Sequence, residues 1–507
     1  MNHWLILPIL LPAVLGALLV VAARHDSLLS RVFSVLSTVL LLMVGLVLLA
    51  MASDGAIRSY ALGEWMAPFG IVLVLDRLAA LMLVLTATLG LGVLVYAIGG
   101  WDERGKHFHP LFQFQLMGLN GAFLTGDFFN LFVFFEILLI ASYGLMVHGG
   151  GGLRMKAGVQ YVVTNLVGSS LFLIGVGLIY SVTGTLNMAD LALKVPQVAP
   201  ADQALLQTGA VLLLLVFGVK AALVPLHFWL PGTYANAPGP VAALFAIMTK
   251  VGAYSIIRLY VLAFGADAGE AAWLAAPWLL PAGLLTLVLG MTGVFAARSL
   301  GQMASFAVIG SMGMLLATVS VFTPQAMSAA LYYLLHSTLG AAALFLIADL
   351  VAERRGVHRD RLAQAPRFAQ GTLIAGLFFA AAIAVTGMPP LSGFLGKLLV
   401  LDAVRSHPQA NWFWALILAT SLLAIIGFAR GGSLVFWKSH ALEAPASPLR
   451  RPAPVLPFVA VGGLLAGLAA LTVFAGPVHA WLELASAQVF TPAGYIDAVL
   501  GTTGGVH

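Results

Sequence analysis

Five side chains able to carry or steer a proton stand inside long apolar runs: Glu136, Lys220, Lys250, His336 and Lys397. A charged lysine at the middle of a bilayer costs at least about 2.5–3.5 kcal/mol on insertion scales. Lys220 lies in LLLLVFGVKAALVPLHFWLP, about sixteen residues into its run and too deep to reach water easily, and Pro225 follows five residues later. A structural lysine could hold the carbonyls that the proline frees. Alternatively, a desolvated amine could load and unload protons, and this is the role we expect.

Glu136 sits near the middle of FNLFVFFEILLIASYGL. It is either a neutral hydrogen-bonding group or the partner of a cation. The second reading predicts a Glu136–Lys220 pair that keeps the lysine charged until the pair loosens. Lys250, Tyr254 and Arg258 are spaced by four, so they share one helix face that must meet protein or water. Arg258 is near enough to its run's end to snorkel, whereas Lys250 is too central. His336, in LYYLLHSTLGAAAL, is a candidate relay, because imidazole titrates near neutral pH; a packing histidine is the plainer alternative. Lys397 follows the break in AVTGMPPLSGFLGKLLVLD and is expected to match Lys220, with Asp402 beyond it toward the outside.

The elements that must hold these residues are membrane helices. Of 507 residues, 61% are hydrophobic and 8% charged, against about 25% charged in soluble domains. Apolar runs of membrane-spanning length recur throughout, so the expected class is an all-α polytopic membrane protein. Fourteen spans are predicted: 3–23, 29–51, 71–98, 108–126, 128–148, 157–182, 204–230, 239–264, 272–294, 299–321, 326–350, 370–404, 411–434 and 454–475. Residues from Pro477 on read as a short amphipathic or irregular tail. MNHW carries no basic residue ahead of the first run, so that run reads as a retained helix and not as a signal peptide.

The basic residues fit this count. Sixteen, including Arg24, Arg31, Arg104, Arg154, Arg359, Arg450 and Arg451, fall on one side, and only Arg58, Lys194 and Arg405 on the other. The positive-inside rule then places the sixteen in the cytoplasm and both termini outside. The formal charge of +5 therefore reports topology and not nucleic-acid binding.

The seventh and twelfth spans are long, broken and lysine-bearing. Their separation by five spans suggests two inverted five-helix repeats, 108–264 and 272–434. Residues 1–107 would form three leading helices, and 454–507 the last helix and tail. HGGGGLRMK follows a membrane run and lacks a preceding strand, so it reads as a flexible cytoplasmic loop and not a phosphate loop. Asp76 and Arg77 point to different sides of one helix and are expected to stabilise the third span. His227 is a candidate wall residue of the Lys220 cavity. With no cysteine there is no disulfide, Fe–S cluster or thiolate metal site, and no cofactor is expected.

With these residues in hand, the chain resembles the antiporter-like subunits of respiratory complex I and their relatives in multisubunit cation/proton antiporters. The resemblance covers nearly the whole chain. Within it, GDFFNLFVFFEILLIASYGL is similar to the fifth span of the D-type subunits of Mrp-type (Pha, Mnh or Sha) monovalent cation/proton antiporters. Lys397 departs from the glutamate usual in the complex I M-type subunit, and the chain ends before the lateral helix of the L-type. The resemblance implies a bacterial inner-membrane location and a mid-membrane axis of Glu136, Lys220, Lys250 and Lys397, which His336 would extend. It also implies partner membrane subunits and exchange of protons for Na⁺ or K⁺, with no covalent chemistry. A proton-pumping subunit of complex I or a membrane-bound hydrogenase is the alternative. A purely structural scaffold would not need four charges at these positions.

Overall fold

A computed structural model describes residues 3–21, 26–438 and 455–501. Arg24, Arg450 and Arg451 of the basic pattern lie outside the described residues. The chain begins with α1 (Leu7–Val21) and α2 (Ser27–Ala52), followed by β1 (Arg58–Ala61), β2 (Val72–Leu75) and α3 (Arg77–Ile98). Then come α4 (Phe108–Leu124), α5 (Phe128–Met146), α6 (Gly152–Thr183), α7 (Met188–Lys194) and α8 (Gln203–Lys220). After α9 (Trp229–Asn236) and α10 (Gly239–Leu262) come α11 (Ala276–Ala296), α12 (Leu300–Val319) and α13 (Pro324–Arg354). The rest is α14 (Gly371–Thr386), α15 (Ser392–Ala403), α16 (Ala410–Gly432), α17 (Leu456–Val473), α18 (Ala475–Val489) and α19 (Pro492–Leu500).

Among the described residues, eleven helical segments are long and apolar enough to cross a membrane, by length and composition alone. The protein is mostly helical, but not wholly so. The third span was expected to start at residue 71; instead Val72–Leu75 pairs antiparallel with Arg58–Ala61. Hydropathy cannot separate VLVL in a strand from VLVL in a helix. Asp76 marks the true start, because its carboxylate accepts from Ala79 N at 2.8 Å and caps α3. Asp127 caps α5, Ser299 caps α12 and Thr323 caps α13 in the same way. In the region expected to be a short amphipathic or irregular tail, α18 and α19 are regular helices. In HGGGGLRMK only 148–151 form a turn, in which Gly149, Gly150 and Gly151 all have positive φ, and the rest is the start of α6.

The helices form a layered bundle whose centre is α10, α12 and α13. Their most apolar stretches are 100%, 89% and 94% buried, against 33% for α2 and 28% for α17. α11 and α12 approach closely because glycines face each other: a Cβ on Gly290 would lie 2.2 Å from Gly310 N. The polar residues of the central helices therefore face protein and not lipid.

Candidate functional site

The first break begins at Lys220, which is the last residue of α8. The sequence places this lysine inside a longer span, but the chain turns immediately after it. The groups freed at the turn find other partners. Trp229 Nε1 donates to Val219 O at 3.0 Å, and Val224 N donates to Thr286 Oγ1 at 2.8 Å. Lys220 is thus not the clamp for carbonyls freed by Pro225. Its Nζ donates to Asn165 Oδ1 at 2.8 Å and lies 5.7 Å from the centre of the Phe135 ring.

The expected direct Glu136–Lys220 pair is absent. Ser169 Oγ donates to Glu136 Oε1, while Asn165, one turn away on the same face of α6, accepts from Lys220. Two neutral side chains of α6 stand where a salt bridge was expected. Glu136 remains within electrostatic range of Lys220. His227 is half-buried in the turn Leu226–Phe228 and is not among Lys220's partners.

Lys250 lies on α10, every residue of which is buried. Its side chain is 0% exposed, and its Nζ has no hydrogen-bond partner among the described residues. Two residues on, Gly252 lets α10 touch the end of α8. A Cβ there would lie 2.8 Å from Phe217 O, 2.9 Å from Ala221 N and 3.1 Å from Lys220 Cβ. One turn beyond Lys250, Tyr254 donates to Phe123 O at 2.6 Å. Arg258 does not snorkel. It grips Asp76 with two hydrogen bonds of 2.6 and 3.0 Å and also donates to Tyr254 at 2.9 Å. Asp76 therefore pairs as well as caps, while Arg77 turns away to Ser53 O and Leu484 O.

The second break separates α14 from α15. His336 of α13 is 1% exposed, and its Nδ1 lies 2.9 Å from Ser392 Oγ at the start of α15. Gly393 makes this approach possible, since a Cβ there would lie 2.8 Å from His336 Nε2. Lys397 Nζ donates to Thr386 O at 2.6 Å and to Ser421 Oγ at 2.7 Å. This lysine does hold a carbonyl freed by a break. Lys220 ends the half-helix before its break, and Lys397 lies on the half-helix after its own. Asp402 stands exposed near Arg405.

The site residues thus gather into two groups. Glu136 and Lys220 are joined through α6. Lys250 and Lys397 both lie within electrostatic range of His336. The α8–α10 contact at Gly252 brings the groups together. The sequence passed over Asn165, Ser169, Ser421 and the partner of Arg258. Only polar residues spaced by four in α6, such as Asn165 and Ser169, carried a readable signal.

The family described as NADH:quinone oxidoreductase/Mrp antiporter, TM matches residues 125–426, which hold both breaks and all five candidate site residues. The chain belongs to this family. A protein of Rhizobium meliloti (strain 1021), by its name the D subunit of a probable K(+)/H(+) antiporter, is 40% identical over 99% of this chain and 98% of that protein. The D subunit of the Na(+)/H(+) antiporter of Bacillus subtilis (strain 168) is 37% identical over 99% of this chain and 100% of that protein. A chain of the Mrp complex structure from Dietzia sp. DQ12-45-1b superposes with a TM-score of 0.87 at 28% identity, covering 99% of this chain and 100% of that one. These two named relatives are subunits of transporters.

Proposed function

We propose that the chain is the proton-translocating membrane subunit of a multisubunit Na⁺(K⁺)/H⁺ antiporter in the bacterial inner membrane. Protons would pass along Glu136, Lys220, Lys250, His336 and Lys397, and their downhill flow would drive cation export. The chain works with other membrane subunits, as its relatives' names as subunits indicate. The observation that carries the reading is Lys250. A wholly buried amine with no hydrogen-bond partner is costly, and a packing role would be served better by an apolar residue. An amine held by no acceptor is suited to passing a proton on.

The family description also spans redox-linked complexes, so a pumping subunit is the second reading. The two close relatives named as antiporter subunits favour exchange. The inverted repeats, the count of fourteen crossings and the external termini belong to the same proposal. Arg104 from the turn after α3, Arg154 from the first turn of α6 and Arg359 from the loop after α13 line one cavity, which supports a shared cytoplasmic face.

Lys250→Ala in the assembled complex tests the reading, with cation-driven proton exchange followed in everted vesicles. Exchange is expected to vanish while the subunits still copurify. Wild-type exchange in an assembled variant would overturn the axis. A cysteine at Arg359, in a chain with none of its own, should react with an impermeant thiol reagent in everted vesicles but not in intact cells. The reverse result would overturn the topology.

A further inference from the structure

Asp349 has no part in the axis described so far. It lies on the floor of a cavity of about 190 Å³. Exposed Arg104, Glu353 and Arg359 form the rim, Arg154 and Asp360 contribute to the wall, and Tyr234 and Phe345 close the apolar side. We infer that Asp349 is the carboxylate through which the proton axis exchanges with water on the basic face of the molecule. This rests on the proposed proton path.

The placement argues for this role. Asp349 Oδ2 accepts from Tyr96 Oη at 2.7 Å and from Trp101 Nε1 at 2.6 Å. Oδ1 has no hydrogen bond to a described residue and faces Gly239, where a Cβ would lie 2.9 Å from it. One oxygen is thus fixed by protein donors, and the other is free to meet water. The missing side chain at Gly239 lets the Asp349 side chain pack directly against the start of α10, since a Cβ there would lie 2.4 Å from both Asp349 Cβ and Cγ.

Asp349 also stands where two functional helices meet. It is thirteen residues from His336 on α13, about 20 Å along the axis at 1.5 Å per residue. Gly239, beside it, opens α10, and Lys250 follows eleven residues later, about 16 Å away. The two helices that carry Lys250 and His336 thus both reach the wall of one polar cavity, with those residues lying deeper. The charges facing Asp349 are mixed. Glu353 and Arg354 come from its own helix, Arg104 from the turn after α3, and Arg154 from α6. Arg359 and Asp360 come from the loop beyond α13, and Tyr96 is the titratable neighbour on α3.

A merely structural Asp349 would tie α3 to α13 through Tyr96 and Trp101. Asparagine can do the same, because its carbonyl oxygen accepts from both donors. Asp349→Asn therefore separates the roles. In assembled complex we expect exchange at least tenfold below wild type and a shifted pH profile, with Asp349→Glu restoring part of both. Wild-type rate and pH profile in Asp349→Asn would overturn the inference, and the reading above would stand if Lys250→Ala, run alongside, is inactive. Full exchange in both variants would overturn the reading itself. A second measurement does not depend on the carboxylate variants assembling. Ala352 lines the same cavity, and Ala352→Cys treated with a bulky charged thiol reagent in everted vesicles should lose exchange as the water route is blocked. Undiminished exchange after complete labelling would overturn the role assigned to the cavity.

Discussion

Lys220 Nζ donates to Asn165 Oδ1 at 2.8 Å, and the acceptor is neutral. A carboxylate in Asn165's place would hold the lysine in a buried ion pair and make it hard to discharge. An amide holds the ammonium by one charge-assisted hydrogen bond, worth about 1.5–3 kcal/mol. Glu136 makes no direct bond to Lys220; its carboxylate accepts from Ser169 on the same helix as Asn165.

Replacing Asn165 should therefore matter in two directions. Asn165→Ala removes the acceptor, and exchange should fall about 10- to 100-fold, as a loss of that bond implies. Asn165→Asp should also slow exchange, by trapping the proton, with a pH dependence opposite in sense to that of the alanine variant. Exchange assays across pH on assembled complex distinguish the two. Wild-type behaviour in both would remove Asn165 from the path.

Gly387 holds Lys397 in place by what it lacks. Its φ is 78°, in the region that favours glycine, and it ends α14. A Cβ there would lie 2.6 Å from Lys397 Cδ and 2.8 Å from Cε. Gly387→Ala should push the amine off Thr386 O and Ser421 Oγ and cost more than tenfold in exchange. Lys397→Ala should be nearly inactive, and Lys397→Glu should keep partial activity with a shifted pH profile. If Gly387→Ala and Lys397→Ala both exchange normally, the second break carries no protons.

Much of this arrangement could be read from the sequence, for identifiable reasons. The lone charges in apolar runs located Glu136, Lys220, Lys250 and Lys397, because burial makes each of them expensive. The proline breaks near Lys220 and Lys397 were visible because proline ends helices. Partners were not legible. Nothing local says that Arg258 meets Asp76, which is 182 residues away. The spacing by four of Asn165 and Ser169 marks a polar face of α6, but nothing in it says that the face meets Lys220 and Glu136. The strand at Val72–Leu75 was missed because its hydropathy equals that of a helix.

The Asp76–Arg258 pair should be a stability element and not a proton stop. Both side chains are buried, and the guanidinium makes two bonds to the carboxylate. Removing one partner leaves a buried charge, at a cost of about 3–5 kcal/mol. Asp76→Asn and Arg258→Met should each lower the melting temperature of the purified chain or reduce its assembly. The double variant should recover part of that loss, since no unpaired charge remains. Additive losses in the double variant would show that the pair is not coupled.

A second ion cluster, outside the spans, gives a prediction in pH. Asp102 follows α3 and lies between Arg31 of α2 and His109 of α4, at 2.6 and 3.2 Å. Burial pushes its carboxyl up, but hydrogen bonds from His109 and Arg31 outweigh burial and bring it to about 2, below the usual 3.8. A carboxylate held lower in the folded state stabilises the fold at pH above its ordinary value. That contribution is lost as pH falls from about 4 toward 2. Arg31 is 24% exposed, so solvent screening reduces the effect to about 1–2 kcal/mol. Asp102→Asn should therefore melt below wild type at pH 7, and the gap should close as pH falls toward 2. Melting curves in detergent at stepped pH measure this directly. A gap that persists at low pH would mean that Asp102 acts through shape and packing, with no contribution from its charge.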